Sequence, residues 1–252
     1  MAKDVRDYIA GCLVCAKNGT TLRSQSLAKV MVDSPMELLS IDFVGPFLKF
    51  EGIEVFDILV IVDYFSRYVW TRATKTVISE TVKGVLNKFF IENGVPVGTY
   101  ADSGARFGKE TQRFAESNGV VWCRSPVSAK KVTGMVEKAV DILQRALKKN
   151  TRDISKLPSV LQKSTLNFNK RDLPHLGYSP QEILKGFVLD GPLEAMFPSH
   201  HRESLKSFLK DDTPHVFPEN DDVHGDMVIR FVTRREEIRR RALIKSDDRK
   251  ER

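Results

Sequence analysis

Three carboxylates stand apart from the other acids of this sequence, because each lies beside turn or helix signals at the edge of an apolar segment: Asp42, Asp102 and Glu137. Asp42 falls inside an otherwise apolar run. An isolated ionised carboxylate there loses several kcal/mol of hydration unless it faces a cleft, pairs with a cation or binds a metal. An edge position or an ordinary salt bridge would satisfy it equally. Asp102 precedes Ser103-Gly104 and can be a turn residue, and Glu137 is an acid of the kind the macrodipole favours near a helix start. The chemistry open to the three is that of oxygen donors to cations, and they acquire a joint meaning only if the elements between them bring them together.

Those elements can be read from hydrophobic periodicity. Met36 to Val44 reads as a buried strand ended by Gly45-Pro46, Val55 to Val62 as a second strand closed by Asp63, and Tyr68 to Thr71 as a third after the turn-forming Ser66-Arg67. Three successive strands imply an antiparallel meander. Val77 to Glu92 carries Ile78, Val82, Val85, Leu86, Phe89 and Phe90 at helical spacing, with Gly94 and Pro96 as stop signals. A short strand at Thr99 to Ala101, a helix at Glu110 to Ser117 and a strand at Gly119 to Cys123 complete the order β-β-β-α-β-α-β. Ser125 to Thr133 has no pattern and is expected as a loop. Gly134 to Asn150 places Val136, Val140, Leu143 and Leu147 on one face of a long helix, which puts Glu137 in its first turns. Further helices are expected over Ile154 to Phe168 and from Ser179-Pro180-Gln181-Glu182, which has an N-cap and a first-turn Pro.

Composition bounds the partners. The 252 residues are 41% hydrophobic and 29% charged, enough to bury a core and unlike a disordered chain. Lys and Arg number 40 against 33 Asp and Glu, a net +7 that favours polyanions. Three cysteines cannot form a disulfide framework and suit a reducing compartment. No secretory signal is evident at Met1 to Asp7. The longest apolar candidate, Ile58 to Val62, is far short of the roughly 18 residues of a membrane helix, so no membrane partner is expected.

Residues 36–190 resemble the catalytic core of retroviral-type integrases, most closely those of Gypsy-like long-terminal-repeat retrotransposons. The matching strings are Ser40 to Phe47, Ile61 to Tyr68, Ala101 to Phe107, Thr133 to Lys138, Leu157 to Val160 and Gly177 to Pro180, in the family's order. The resemblance implies an α/β, ribonuclease-H-like fold: a mixed five-stranded sheet with helices on both faces. It also implies that Asp42, Asp102 and Glu137 are catalytic residues that bind two divalent cations, Mg2+ or Mn2+, with Asp42 shared. The implied reaction is DNA integration by phosphodiester cleavage and strand transfer, with DNA as partner, a homo-oligomer as the active form and the nucleus as location. Two departures motivate an alternative, a domesticated or decayed nucleic-acid-binding remnant without catalysis. Asp102 and Glu137 have 34 residues between them, one fewer than is usual in the family, and Ser128 to Thr133 stands where the family usually carries His-Pro. A third reading is a ribonuclease-H-type nuclease.

The organisation expected around the core is residues 1–17 as the end of an N-terminal zinc-binding domain, 18–35 as a linker, 191–222 as a second linker, and 223–252 as a partial C-terminal domain with a basic tail. Cys12 and Cys15 have a metal-knuckle spacing but supply two of the four ligands zinc needs, so zinc is not expected in this chain. Gly225 to Arg230 resembles the opening strand of the family's C-terminal barrel. Arg234-Arg235 and Arg239 to Arg241 could contact phosphate or form a solvated helix. Lys130, Lys131, Lys138, Arg145, Lys148 and Lys149 surround the Glu137 helix and are the stronger candidates for DNA contact, with the salt dependence that phosphate binding brings.

Overall fold

A computed structural model of the chain describes residues 2–12, 32–48, 55–101, 107–124, 130–151, 153–188 and 221–251. Residues 1–31 separate as a unit of their own, in which helix α1 (Ala2–Gly11) is described. The rest of the chain is built on three long strands, β1 (Leu38–Leu48), β2 (Val55–Asp63) and β3 (Val69–Thr74). After helix α2 (Ser79–Asn93) come β4 (Gly98–Ala101), α3 (Lys109–Ser117) and β5 (Val121–Arg124). Helix α4 (Lys130–Asn150) leads through a short 3-10 turn to α5 (Leu157–Lys170), then α6 (Pro180–Lys185) and α7 (Asp221–Glu251). The sheet order is β3-β2-β1-β4-β5. β1–β2 and β2–β3 are antiparallel, whereas β1–β4 and β4–β5 are parallel. This is the mixed five-stranded sheet expected from the sequence.

Alternation along β1 and β2 divides the core into two layers. Leu39, Ile41 and Phe43 with Leu59 and Ile61 face one side, where Val82, Leu86, Phe89 and Phe90 of α2 and Ala115 of α3 cover them. Val44 with Ile58, Val60 and Val62 faces the other, under Val136, Ala139, Leu143 and Leu147 of α4 and Leu157 and Leu161 of α5. Each buried Leu of that helical stripe contributes about 1.5–3 kcal/mol over leaving it in water. The same stripe fixes which side of α4 faces the sheet.

The free side of β3 is closed by a side chain. Asn169 of α5 accepts a hydrogen bond from the Val69 N–H at 2.8 Å and donates to the Val69 carbonyl at 2.7 Å, both buried. Thr71 and Thr165 hydroxyls meet alongside at 2.8 Å. Asp63, fully buried at the end of β2, accepts from the Met36 N–H at 3.0 Å and from the Ser66 N–H and hydroxyl at 2.7 and 2.5 Å. It thereby fastens the entry of β1 to the β2–β3 turn. Burial pushes its carboxyl above the ordinary range, while those donors and Arg67 pull the other way.

Four segments depart from the sequence reading. Gly45-Pro46 does not end β1, which crosses it in a bulge between Val44 and Phe47. Gly45 sits at φ +135°, and a Cβ there would lie 2.9 Å from Asp57 Oδ1 and 3.0 Å from the Phe56 carbonyl oxygen. Gly45→Ala is therefore expected to lower stability by about 1–3 kcal/mol, seen as a lower denaturant midpoint. Helix α4 begins at Lys130, four residues ahead of the reading, inside the stretch expected as a loop. The strand expected at Gly225 to Arg230 is instead part of helix α7, whose Ile238 and Ala242, one turn apart, pack with Phe65, Leu173, Leu176 and Ile183. Arg235 and Arg239 also turn inward rather than toward a phosphate. Arg239 donates to the carbonyls of Ile183 at 3.0 Å and Leu184 at 2.7 Å, the end of α6 where a cation is favoured. Residues 18–31, Asp102 and residues 191–220 lie outside the described residues, as do the side chains of Lys130 and Lys131.

Candidate active site

Asp42 belongs to the even-numbered face of β1. It pairs with Val60 across the β1–β2 ladder, and Val60 and Val44 both lie in the layer under α4. The carboxylate is half-buried, and its Oδ1 accepts the Phe43 N–H at 2.7 Å. That bond helps to satisfy an acid within a strand that is otherwise largely buried. Among the described residues β4 pairs with β1 from Leu38 to Ile41, with Ala101 opposite Ile41. Asp42 and Asp102 each follow one member of that last described pair in sequence. Asp102 itself lies outside the described residues.

Glu137 is exposed on α4, next to the buried Val136. The inward stripe of α4 packs over the β1–β2 face that carries Asp42, so two of the three acids are placed on one side of the sheet. Among the described residues no three His, Cys, Asp or Glu side chains form a group able to hold a metal ion. With Asp102 outside those residues, two of the three acids are all such a group can contain. The donor set itself fits a hard cation. Three carboxylates, with neither sulfur nor imidazole among them, match the oxygen preference of Mg2+ and Mn2+.

The basic residues divide by environment. Lys138, Lys148 and Lys149 are exposed, the last two in the final turn of α4. Arg145 is exposed but held by Asp141 one turn earlier at 2.5 Å. Such an exposed pair is worth a few tenths of a kcal/mol and leaves the cation available to a stronger anion. On α7, Arg234, Arg240 and Arg241 are exposed and Arg241 bonds to Glu237. Cys12 follows α1 and is half-buried, and Cys15 lies outside the described residues.

The sequence reading gave no role to the aromatic residues beside the acids. Phe43, which follows Asp42, places its ring 5.2 Å from that of Phe107, and Phe107 lies 6.1 Å from Trp122 of β5. Phe43 and Phe107 are buried in the layer opposite α4. Their presence in two strings of the family match was the available signal, but nothing in the strings showed that they touch.

No protein-family model matches the chain. A curated relative, the uncharacterized protein K02A2.6 of Caenorhabditis elegans, is 24% identical over 201 residues, and the aligned region is 78% of this chain but 15% of that protein. Among solved structures, a chain of the simian T-cell lymphotropic virus intasome in complex with PP2A regulatory subunit B56 gamma superposes with a TM-score of 0.60 at 19% identity. The superposition covers 76% of this chain and 69% of that one. The HTLV-2 integrase catalytic core domain in complex with magnesium, in its trimeric form, gives a TM-score of 0.49 at 21% identity over 60% of this chain and 97% of that chain. The fold is the ribonuclease-H-like fold of integrase catalytic cores.

Proposed function

We propose that the chain carries the catalytic core of a retrotransposon-type integrase, of the Gypsy-like kind, which trims and joins DNA ends by phosphodiester cleavage and strand transfer. The observation that carries this reading is the placement of Asp42 and Glu137 on one side of the sheet: Asp42 on the β1 face that packs under α4, and Glu137 on α4 itself. The likeness to an intasome chain and the net charge of +7 support it. Asp42, Asp102 and Glu137 are assigned as ligands of two divalent cations, Mg2+ or Mn2+, with Asp42 shared. When bound, such ions activate an attacking oxygen and stabilise a leaving 3′ oxygen. No side-chain nucleophile is needed, because water serves in trimming and a freed 3′ hydroxyl in joining.

The chain's own part is to hold the acids and the DNA. The Phe43 N–H orients the Asp42 carboxylate, and α4 carries Glu137 on a helix anchored by four buried residues. Lys138, Lys148 and Lys149, with Arg145 and the two lysines of the first turn, Lys130 and Lys131, are assigned to phosphate contacts. Lys148→Glu combined with Lys149→Glu is expected to weaken DNA binding for all sequences alike. It should also flatten the slope of log affinity against log salt by about two, one for each contact, as fluorescence anisotropy over a salt series would read. The active form is proposed to be a homo-oligomer working in the nucleus.

The reading is tested with the full chain on a nicked or branched DNA, with Mn2+ or with chelator, at concentrations where it self-associates. Metal-dependent joining is the expected result. Cleavage without joining points to a ribonuclease-H-type nuclease, and salt-sensitive binding with no turnover points to a non-catalytic remnant. Either result overturns the assignment.

A further inference from the structure

We propose that Tyr100 binds DNA: its ring stacks on an unpaired base of the strand whose phosphate is held at Asp42. The inference rests on the function proposed above and adds a contact to it. Ser40 lies two residues before Asp42 on the same face of β1, and it pairs with Val62 on one side and with Tyr100 on the other. Tyr100 pairs in turn with Cys123 of β5. The rank of side chains next to Asp42 therefore reads Val62, Ser40, Tyr100, Cys123. Helices α4 and α5 cover this face over β1, β2 and β3, and among the described residues the layer beneath them takes nothing from β4 or β5. Tyr100 and Cys123 are accordingly half-buried, and Val121, the next residue of β5 on the same face, is 60% exposed.

One side of the Tyr100 ring is already held. Tyr64 is buried on the far side of β1, where its N–H donates to the Leu38 carbonyl at 2.9 Å, and its ring centroid lies 6.2 Å from that of Tyr100. The two rings meet across β1, and Ser40, the β1 residue paired with Tyr100, is small enough to leave that crossing open. A ring held on one side and open on the other gives up little freedom when a second flat group packs on it. Diagonal neighbours on adjacent strands stand about 7–8 Å apart, which the base next to a phosphate at Asp42 can bridge. Every base presents a π-face whatever its identity, and the net charge of +7 favours a polyanion as the bearer of that face.

The test measures binding of the full chain in Mn2+, by fluorescence anisotropy, to a duplex with a short single-stranded 3′ tail that lacks its terminal hydroxyl. The same DNA is made with the base removed at each tail position in turn. Tyr100→Ala is expected to weaken binding to the intact DNA by about 5- to 150-fold, and Tyr100→Phe to keep it. At one tail position, loss of the base should bring the wild type down to the level of Tyr100→Ala and cost that variant nothing further. A merely structural role would not single out one base. Phe89→Leu, buried in the layer on the opposite face, is expected to lower the denaturant midpoint with no change in affinity. If Tyr100→Ala does not fold, Tyr100→Leu fills the space without an aromatic face. Joining by Asp42→Asn is assayed alongside on DNA that keeps its hydroxyl. Wild-type affinity in Tyr100→Ala, or a loss equal on every abasic DNA, overturns the stacking role, and with Asp42→Asn inactive the metal assignment stands. Joining that survives Asp42→Asn overturns the metal assignment and this inference with it.

Discussion

Asp42→Asn is expected to abolish metal-dependent strand transfer while leaving the fold and the affinity for DNA close to those of the wild type. The substitution keeps the shape of the side chain, and an amide oxygen can still accept the Phe43 N–H. What it removes is the charge. A neutral oxygen is a poor ligand for a hard divalent cation, and a carboxylate assigned to both ions has no substitute. The loss should exceed the about 10²–10³-fold that a single preorganised electrostatic group is worth in other sites. Asp102→Asn and Glu137→Gln are expected to do the same. A time course of branched-product formation in Mn2+, with circular dichroism and DNA anisotropy on the same preparations, separates lost chemistry from lost folding. Full activity in any one of the three variants removes that residue from the assigned set.

The largest effect on stability is expected at a residue far from the acids. Asn169→Leu keeps the branching of the side chain with more bulk, but leaves the Val69 N–H and carbonyl buried with no partner. Each orphaned backbone group costs about 1–3 kcal/mol, so the variant should lose about 2–5 kcal/mol, a large part of the total for an ordinary domain. Thr165→Val removes the neighbouring hydroxyl contact and is expected to cost only about 1 kcal/mol. Urea unfolding checks both. An unfolding midpoint no lower than that of Thr165→Val would show that the amide does not close the β3 edge at Val69.

These two sites mark how far the sequence could be read. The order of elements was legible from their periodicity, whereas the division of the core into two layers was not, because Ile58 to Val62 is apolar without interruption. Asp42 was legible as an acid out of place in an apolar run, a local signal. Asn169 was not, since its partner lies 100 positions away and an Asn near a helix end has many ordinary explanations. The start of α4 was missed because its first turn, at Lys130, offers no apolar spacing. The segment at 225–230 was expected as a strand from its likeness to the family's C-terminal barrel, yet Val228 and Ile229 are exposed on α7, and the residues of that helix that pack are Ile238 and Ala242 further along. The Phe43–Phe107 contact is of the same kind, visible as two residues and invisible as a pair.

The way α7 closes the cluster around Ile183 bears on how this fold should be handled in the laboratory. A fragment cut by analogy at residue 190 would strip Ile238 and Ala242 from Phe65, Leu173 and Leu176, and take from the carbonyls of Ile183 and Leu184 the guanidinium that now caps them. A unit for expression is therefore longer than the sheet and its covering helices, and it has to include Ile238 and Ala242.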